Sequence, residues 1–389
     1  MIALLALTAW GDEVHRYSLL VGTNDGGADR VPLRFAHTDA LTLGEVLVDV
    51  GGVAPERQRM LLDPDAAALA SAFEALSAEL AADPARTEVV FYYSGHSDEE
   101  GLLLGEERFG YRDLRAALES LPARVRVAIL DSCASGALIL SKGGRKVAPF
   151  LVDESVAIDG FAYITSSSAD EVSQEAERVG GSYFTYFLET GLRGAADRSD
   201  DGRVTLTEAY TFAYDETLAR TERTQHGPQH PTYQIELSGT GDLVLTDLSL
   251  NASSLVLDAG IDGRALVRDG RGGLVAELDK PGGRRVEIAL PEGDYEVTVV
   301  PDRDGDRGGT WALAEVELVA GADTVVHASS LAWHAGESAR PRRPRSSPAP
   351  RATAGSPSAS ACSRTIRRAA PTRSWSPSSA APRRSRARR

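Results

Sequence analysis

Two segments decide the fold: Val89-Val-Phe-Tyr-Tyr-Ser94-Gly95-His96, and Val125-Arg-Val-Ala-Ile-Leu-Asp131-Ser132-Cys133-Ala134-Ser135-Gly136. Each opens on an apolar run, Val89–Tyr93 and Val125–Leu130, that reads as a buried strand, and Tyr111–Leu121 between them reads as a helix. Two strands joined through a helix form a right-handed βαβ unit, so they run parallel and their carboxyl ends leave the sheet at one edge. His96 ends the first strand and Cys133 the second. A thiol therefore faces an imidazole, the pairing that activates a cysteine nucleophile.

Upstream, Tyr17–Gly22 is a strand that delivers the turn-rich loop Thr23-Asn24-Asp25-Gly26-Gly27, and Leu33–Asp49 has helical spacing with Thr38 or Asp39 at its start. Gln58–Leu62 reads as a strand. Asp63-Pro64 reads as the N-cap and first residue of a helix whose apolar face holds Leu69, Phe73, Leu76 and Leu80. Downstream of Cys133, the segment 137–160 reads as a flexible loop and Phe161–Thr165 as a strand. Ser182 caps a helix that stops at Gly194, Leu206–Arg220 is a further helix, and Gly241–Leu245 returns as a last strand. Alternating strands and helices predict a three-layer α/β/α sandwich with a mostly parallel sheet over residues 16–250.

From Ser253 the texture changes to short alternating runs broken by Gly and Asp: 254–257, 264–268, 285–290, 295–300, 311–319 and 324–328. These predict a small antiparallel β-sandwich over 251–335, with a turn at Asp302–Gly309 and no catalytic constellation. Residues 336–389 are rich in Arg, Pro, Ser and Ala, a composition that predicts a disordered tail.

The net charge of −14 is unevenly spread: Arg340–Arg389 holds 14 Arg and neither Lys nor acid, which leaves 28 basic residues against 56 acidic ones before it. So acidic a body excludes nucleic acid as its partner, because phosphate contacts need concentrated Lys and Arg. The two cysteines, Cys133 and Cys362, cannot build a disulfide framework or a Cys-rich zinc site. No run after the N-terminus has the length of a membrane span. Met1–Ala9 is apolar within an N-terminal segment 1–15, and two readings stay open: the remnant of an export signal, which places the protein in a secreted or periplasmic location, or a plain extension of a cytoplasmic one.

In its turn of small residues Cys133 is placed for exposure rather than packing. Neutral His96 would withdraw its proton, and the backbone N–H groups of Gly95 and Cys133 would hold the oxyanion of a tetrahedral intermediate. Tyr93-Ser94-Gly95-His96 followed by Asp131-Ser132-Cys133-x-Ser135-Gly136 resembles the caspase-like cysteine peptidases, most of all their bacterial, metacaspase-like branch, over about Arg16–Asp247. The resemblance implies a caspase-type sandwich and an endopeptidase that acylates Cys133. Gln-Ala-Cys-x-Gly is absent, the His–Cys separation of 37 residues is short, and Ser97 stands where many relatives have Gly.

The resemblance further implies an acidic S1 pocket at Asp39 and Asp131, with Ser94 beside them, and so protein or peptide substrates with Arg or Lys at P1. For Asp39 a helix cap is the plain alternative. Arg34 is near, but out of register with, the arginines of relatives that cut after Asp. Lys142, Arg145 and Lys146 in the 137–160 loop are then sites for self-cleavage, or simply a solvated basic loop. The rival to the enzyme is a catalytically silent caspase-like module that binds partners through the β domain.

The reaction requires no cofactor. Asp197-x-Ser199-x-Asp201-Gly202-x-Val204-x-x-x-Glu208 fits a twelve-residue calcium loop apart from its Ser, and fits equally an Asp-Gly turn with a Thr205-x-x-Glu208 capping box. His226 and His230 flank a proline-rich turn with no evident carboxylate partner, and read as polar surface rather than as metal ligands.

Overall fold

A computed structural model describes residues 14–83, 85–133, 135, 158–168, 171–301 and 310–335. Met1–Ala9, the loop with Lys142, Arg145 and Lys146, the turn at 302–309 and the tail lie outside the described residues. All described residues belong to one compact unit, Met1–Pro344.

The chain opens with β1 (Val14–Gly22), α1 (Ala36–Asp49), β2 (Val53–Leu62), α2 (Ala66–Ala82) and β3 (Arg86–Ser94). A short hairpin, β4 (Gly101–Leu104) and β5 (Glu107–Gly110), precedes α3 (Tyr111–Ser120), β6 (Val125–Asp131) and β7 (Asp159–Thr165). A second hairpin, β8 (Glu175–Ala176) and β9 (Gly181–Ser182), leads into α4 (Tyr183–Thr190), which runs on as a π-helical turn over Gly191–Ala195. Then come β10 (Arg203–Thr205), α5 (Leu206–Thr221), β11 (Thr232–Ser238) and β12 (Val244–Asp247).

The main sheet has the order β2-β1-β3-β6-β7-β11. Its pairings are parallel except at the β11 edge, which is antiparallel to β7. Strand alternation divides its apolar residues between two faces. Leu19, Val21, Phe91, Tyr93 and Leu130 pack with Phe73, Leu76, Leu114 and Leu118 of α2 and α3. Leu20, Val90, Tyr92, Val127, Ile129 and Ile164 pack with Leu43, Phe184, Phe187 and Phe212 of α1, α4 and α5. Helices on both faces of a mostly parallel sheet make the expected three-layer sandwich.

Several boundaries differ from the sequence reading, each for a physical reason. The α2 cap is Asp65, whose Oδ1 accepts the Ala68 N–H at 2.7 Å. Asp63 instead adopts φ +47 and turns back to the loop after β1, accepting the Asn24 N–H at 3.1 Å and pairing with His37 at 2.9 Å. Val244–Asp247 does not close the main sheet; it pairs with β10, and the closing strand is β11, whose alternation is masked by its exposed outer face. Ser182 and Thr205 cap as expected, Thr205 with a complete capping box.

Past Leu250 the chain forms β13 (Ser253–Leu257), β14 (Gly263–Asp269), β15 (Leu274–Lys280), β16 (Val286–Ala289), β17 (Gly293–Val300), β18 (Thr310–Leu318), β19 (Ala322–Val326) and β20 (Ala332–Ala335). They form a sheet β15-β14-β17-β18-β20 and a sheet β16-β13-β19. The expectation of purely antiparallel pairing is corrected at one place: β13 and β19 are parallel, because a long connection returns the chain in the same direction. Leu255, Leu257, Val267, Leu278 and Ile288 continue the core on the α4–α5 face of the main sheet.

Candidate active site

The site lies at the carboxyl edge of β1, β3 and β6, where an open α/β sheet leaves its crevice. Ser94 and Asp131 are register partners at the ends of β3 and β6. Two residues on along each strand stand His96 and Cys133, and the Ser97 hydroxyl donates to the Cys133 carbonyl, tying the two turns together. The Tyr93 hydroxyl lies 2.6 and 2.8 Å from the carbonyl oxygens of His96 and Leu103, which fixes the turn that carries the imidazole.

The His96 Nε2 donates to the Val31 carbonyl at 3.0 Å. A carbonyl only accepts, so the proton sits on Nε2 and Nδ1 keeps its lone pair. Burial pulls the His96 pKa below the ordinary imidazole value, with the Arg30 charge acting in the same direction. Burial pushes the Cys133 thiol up, and the Asp131 charge adds to it; the Ser173 backbone N–H and Arg30 work the other way. The Arg30 charge therefore acts on both groups, disfavouring imidazolium and favouring thiolate. At rest both members of the pair are neutral.

Gly26 permits this arrangement. A Cβ there would come within 2.3 Å of the His96 ring, so only glycine lets the loop after β1 lie against the imidazole.

One correction concerns the oxyanion donors. The Gly95 N–H donates to the Asp131 carbonyl at 3.2 Å, extending the β3–β6 ladder past Ser94, and is not free for substrate. Ser97, whose hydroxyl holds the Cys133 carbonyl, has a backbone N–H with no bond to any described residue, as does Cys133.

Asp39 and Asp131 are both buried, beside Ser94. Asp39 sits in the first turn of α1, so it is not the cap; Phe35 is. Its Oδ2 accepts from the Ser94 hydroxyl at 3.0 Å and its Oδ1 from the Ser182 N–H at 3.1 Å. Asp131 accepts from the hydroxyls of Ser173, Ser182 and Thr185, the last at 2.6 Å. Burial raises the Asp39 pKa well above the carboxylate range, with Asp131 and Glu189 adding to it. Glu189 is pushed up to about 8 by burial, with Glu45 and Asp131 contributing. Glu175 accepts the N–H groups of Arg34 and Phe35 at the start of α1. Four carboxylates thus share one region, and the partners of Asp39 and Asp131 among the described residues are hydroxyls and a backbone N–H. Arg34 is outside it, paired with Glu177 on the surface.

Other sequence candidates lie elsewhere. In the 197–208 loop, Asp197 accepts the N–H groups of Asp200 and Gly202 at 2.7 and 2.9 Å, and Glu208 accepts those of Arg198, Ser199 and Thr205. Among the described residues no group of three or more His, Cys, Asp or Glu is arranged to hold a metal. His230 does have a carboxylate partner, contrary to the sequence reading: Glu171, 59 positions earlier, meets its Nδ1 at 2.6 Å. His226 lines a cavity of about 390 Å³ together with Leu33, Val172, Ser173 and Glu175.

Residues 15–239 match the family model described as the caspase domain. No curated protein matches the chain. Among solved structures, it is similar to caspase-1 from Spodoptera frugiperda at 15% identity and a TM-score of 0.42, over 60% of this chain and 92% of that one.

Proposed function

We propose, on the premise that the chain belongs to the caspase domain family of cysteine peptidases, that it is an endopeptidase of the metacaspase-like kind, cutting after Arg or Lys through Cys133 and His96. The Cys133 sulfur attacks the P1 carbonyl while His96 Nδ1 takes the thiol proton. The same imidazole returns that proton to the departing amine, leaving a thioester on Cys133 that water then hydrolyses. The N–H groups of Cys133 and Ser97 supply the oxyanion contacts, since Gly95 is committed to Asp131. Val31, through its carbonyl, keeps the ring in the tautomer this sequence of transfers needs.

The observation that carries the specificity is the acid pair Asp39 and Asp131, buried and held by hydroxyls, with no cationic partner among the described residues. Buried carboxylates are costly without a counter-charge, and a P1 guanidinium or ammonium provides one together with several hydrogen bonds. Arg34, the arginine nearest the register of relatives that cut after Asp, is engaged by Glu177 on the surface. The same preference makes Lys142, Arg145 and Lys146 self-cleavage sites.

A positional peptide library, run with and without calcium and beside Cys133→Ala, tests the reading. Cleavage after Arg or Lys that disappears in the variant supports it. Cleavage that survives in Cys133→Ala, or a preference for acidic P1, overturns it. Purified Cys133→Ala that is still clipped in the loop overturns self-processing.

A further inference from the structure

The structure assigns the β-rich region a part in substrate choice: Glu277 on β15 holds Arg178, and through it the hairpin that builds one wall of the S1 pocket. This rests on the reading of Asp39 and Asp131 as that pocket.

Glu277 is 1% exposed. Its carboxylate meets three guanidinium groups, those of Arg178 at 2.7 Å, Arg264 at 3.0 Å and Arg220. Arg264 also binds Glu216 at 2.7 Å and Asp279 at 2.9 Å, so three positive and three negative groups balance between α5, the β8–β9 hairpin and the β-rich region. Such a cluster is held together by its pairing. Removing one member leaves like charges facing each other in a poorly solvated place. Burial, Arg264 and Arg178 already pull the Arg220 pKa down to about 10.

Arg178 is the member that reaches the active site. It sits in the turn between β8 and β9, and both ends of that hairpin hold substrate-pocket groups. At the β8 end, the Glu175 carboxylate accepts the Arg34 and Phe35 N–H groups at the start of α1, the helix that carries Asp39. At the β9 end, the Ser182 N–H binds Asp39 and its hydroxyl binds Asp131. Gly181 between them lies so close that a Cβ there would come within 2.6 Å of Asp39 Oδ1. Val179 and Gly180 line a cavity of about 270 Å³ together with Asp39 and Thr42 of α1 and with Leu274 and Val275 of β15. Beside the Glu175 and Ser182 contacts that tie its two ends to α1, the Arg178–Glu277 pair ties the turn of the hairpin to β15. Arg178 and Glu277 are positioning residues.

The test uses the full-length protein and the P1 residue that a peptide library shows it prefers. Arg178→Ala is expected to raise KM up to about fivefold with kcat within about twofold of wild type, the loss of one ion pair with a partly exposed partner read out at the pocket. It should also speed amide exchange across residues 175–182, and Arg178→Lys should recover most of both effects. Because Arg178 is partly exposed, Arg178→Ala can be compared at equal folding even where Glu277→Gln lowers stability. Unchanged KM, unchanged exchange, or a KM that follows thermal stability alone across the three variants overturns the clamp. A wild type that prefers an uncharged or acidic P1 overturns the reading of S1 instead, and the clamp is then judged by the KM for that preferred residue.

Discussion

Asp131 accepts from three hydroxyls that can each turn to admit a ligand, and a carboxylate so placed is matched to a cation. Asp131→Asn keeps the size of the group and removes its charge, which sets donor against donor at one oxygen. The ratio of kcat/KM for matched peptides with Arg and with uncharged citrulline at P1 should fall about 10- to 100-fold, the worth of one hydrogen bond to a charged group. An unchanged ratio removes Asp131 from the pocket. Glu189 makes a separate prediction about stability. Its pKa of about 8 in the folded chain exceeds the ordinary glutamate value, so the folded state holds the proton more tightly and stability falls as pH rises between the two values. Glu189→Gln removes that fall while still accepting from Thr42, so its melting temperature should gain on wild type from pH 5 to pH 8.5. Asp39 keeps part of the slope in both proteins. A constant gap across that range counts against a protonated Glu189. The placement of His96 and Cys133 was legible in the sequence, since each stands two residues past the end of one of two neighbouring parallel strands. Arg30, the Val31 carbonyl and the Ser173 N–H were not, because a backbone group carries no signature of residue type and a loop arginine has no periodicity.

The strands and helices that frame the site follow from apolar runs and caps, and their errors come from local polar groups with more than one use. Asp63 and Asp65 are both sound caps for α2, and the choice fell to the second because His37 and Asn24 engage the first. In the 197–208 loop, the residues that spell a calcium pattern also satisfy the turn and the capping box, so spacing alone cannot separate the two uses. His230 and Glu171 were missed as a pair because their contact spans 59 positions. The loop after β1 yields the prediction at this scale. Gly26→Ala places a methyl group where the His96 ring lies, and either the loop or the imidazole must shift. Misplacing a catalytic group by about 1 Å costs on the order of 100-fold in rate, so kcat should drop 10- to 100-fold. The melting temperature should change little, as this loop contributes few buried apolar side chains. Full activity in Gly26→Ala would mean that the imidazole has freedom the geometry does not suggest.

At the scale of the molecule, the sequence texture drew a line near residue 250, and the core crosses it. Helix α4 packs on β15 and its π-helical turn on β16, while the buried groups of the two regions form one cluster. Tyr186, Leu274, Leu290 and Tyr295 surround one cavity, and Arg193 from the π turn donates to the Ala289 carbonyl at 3.2 Å. A change of strand pattern reports secondary structure, whereas a shared core depends on which faces meet, and that was not written in any local stretch. The consequence is that a chain ending at Leu250 should not fold as the sandwich alone. Uncovering a fully buried apolar side chain costs about 1.5 to 3 kcal/mol, so each side chain of α4 and its π turn that loses its cover takes a sizeable share of the roughly 5 to 15 kcal/mol that holds an ordinary domain folded. The unpaired Arg178, Arg220 and Glu216 add to the loss. Urea titration of the full chain should show one transition by both tryptophan fluorescence and far-ultraviolet circular dichroism. The truncated chain should show no cooperative transition and no reaction with a Cys133-directed acylating probe. Two separated transitions in the full chain, or a truncated chain that unfolds cooperatively and still takes the probe, would mean that the α/β/α sandwich stands on its own core.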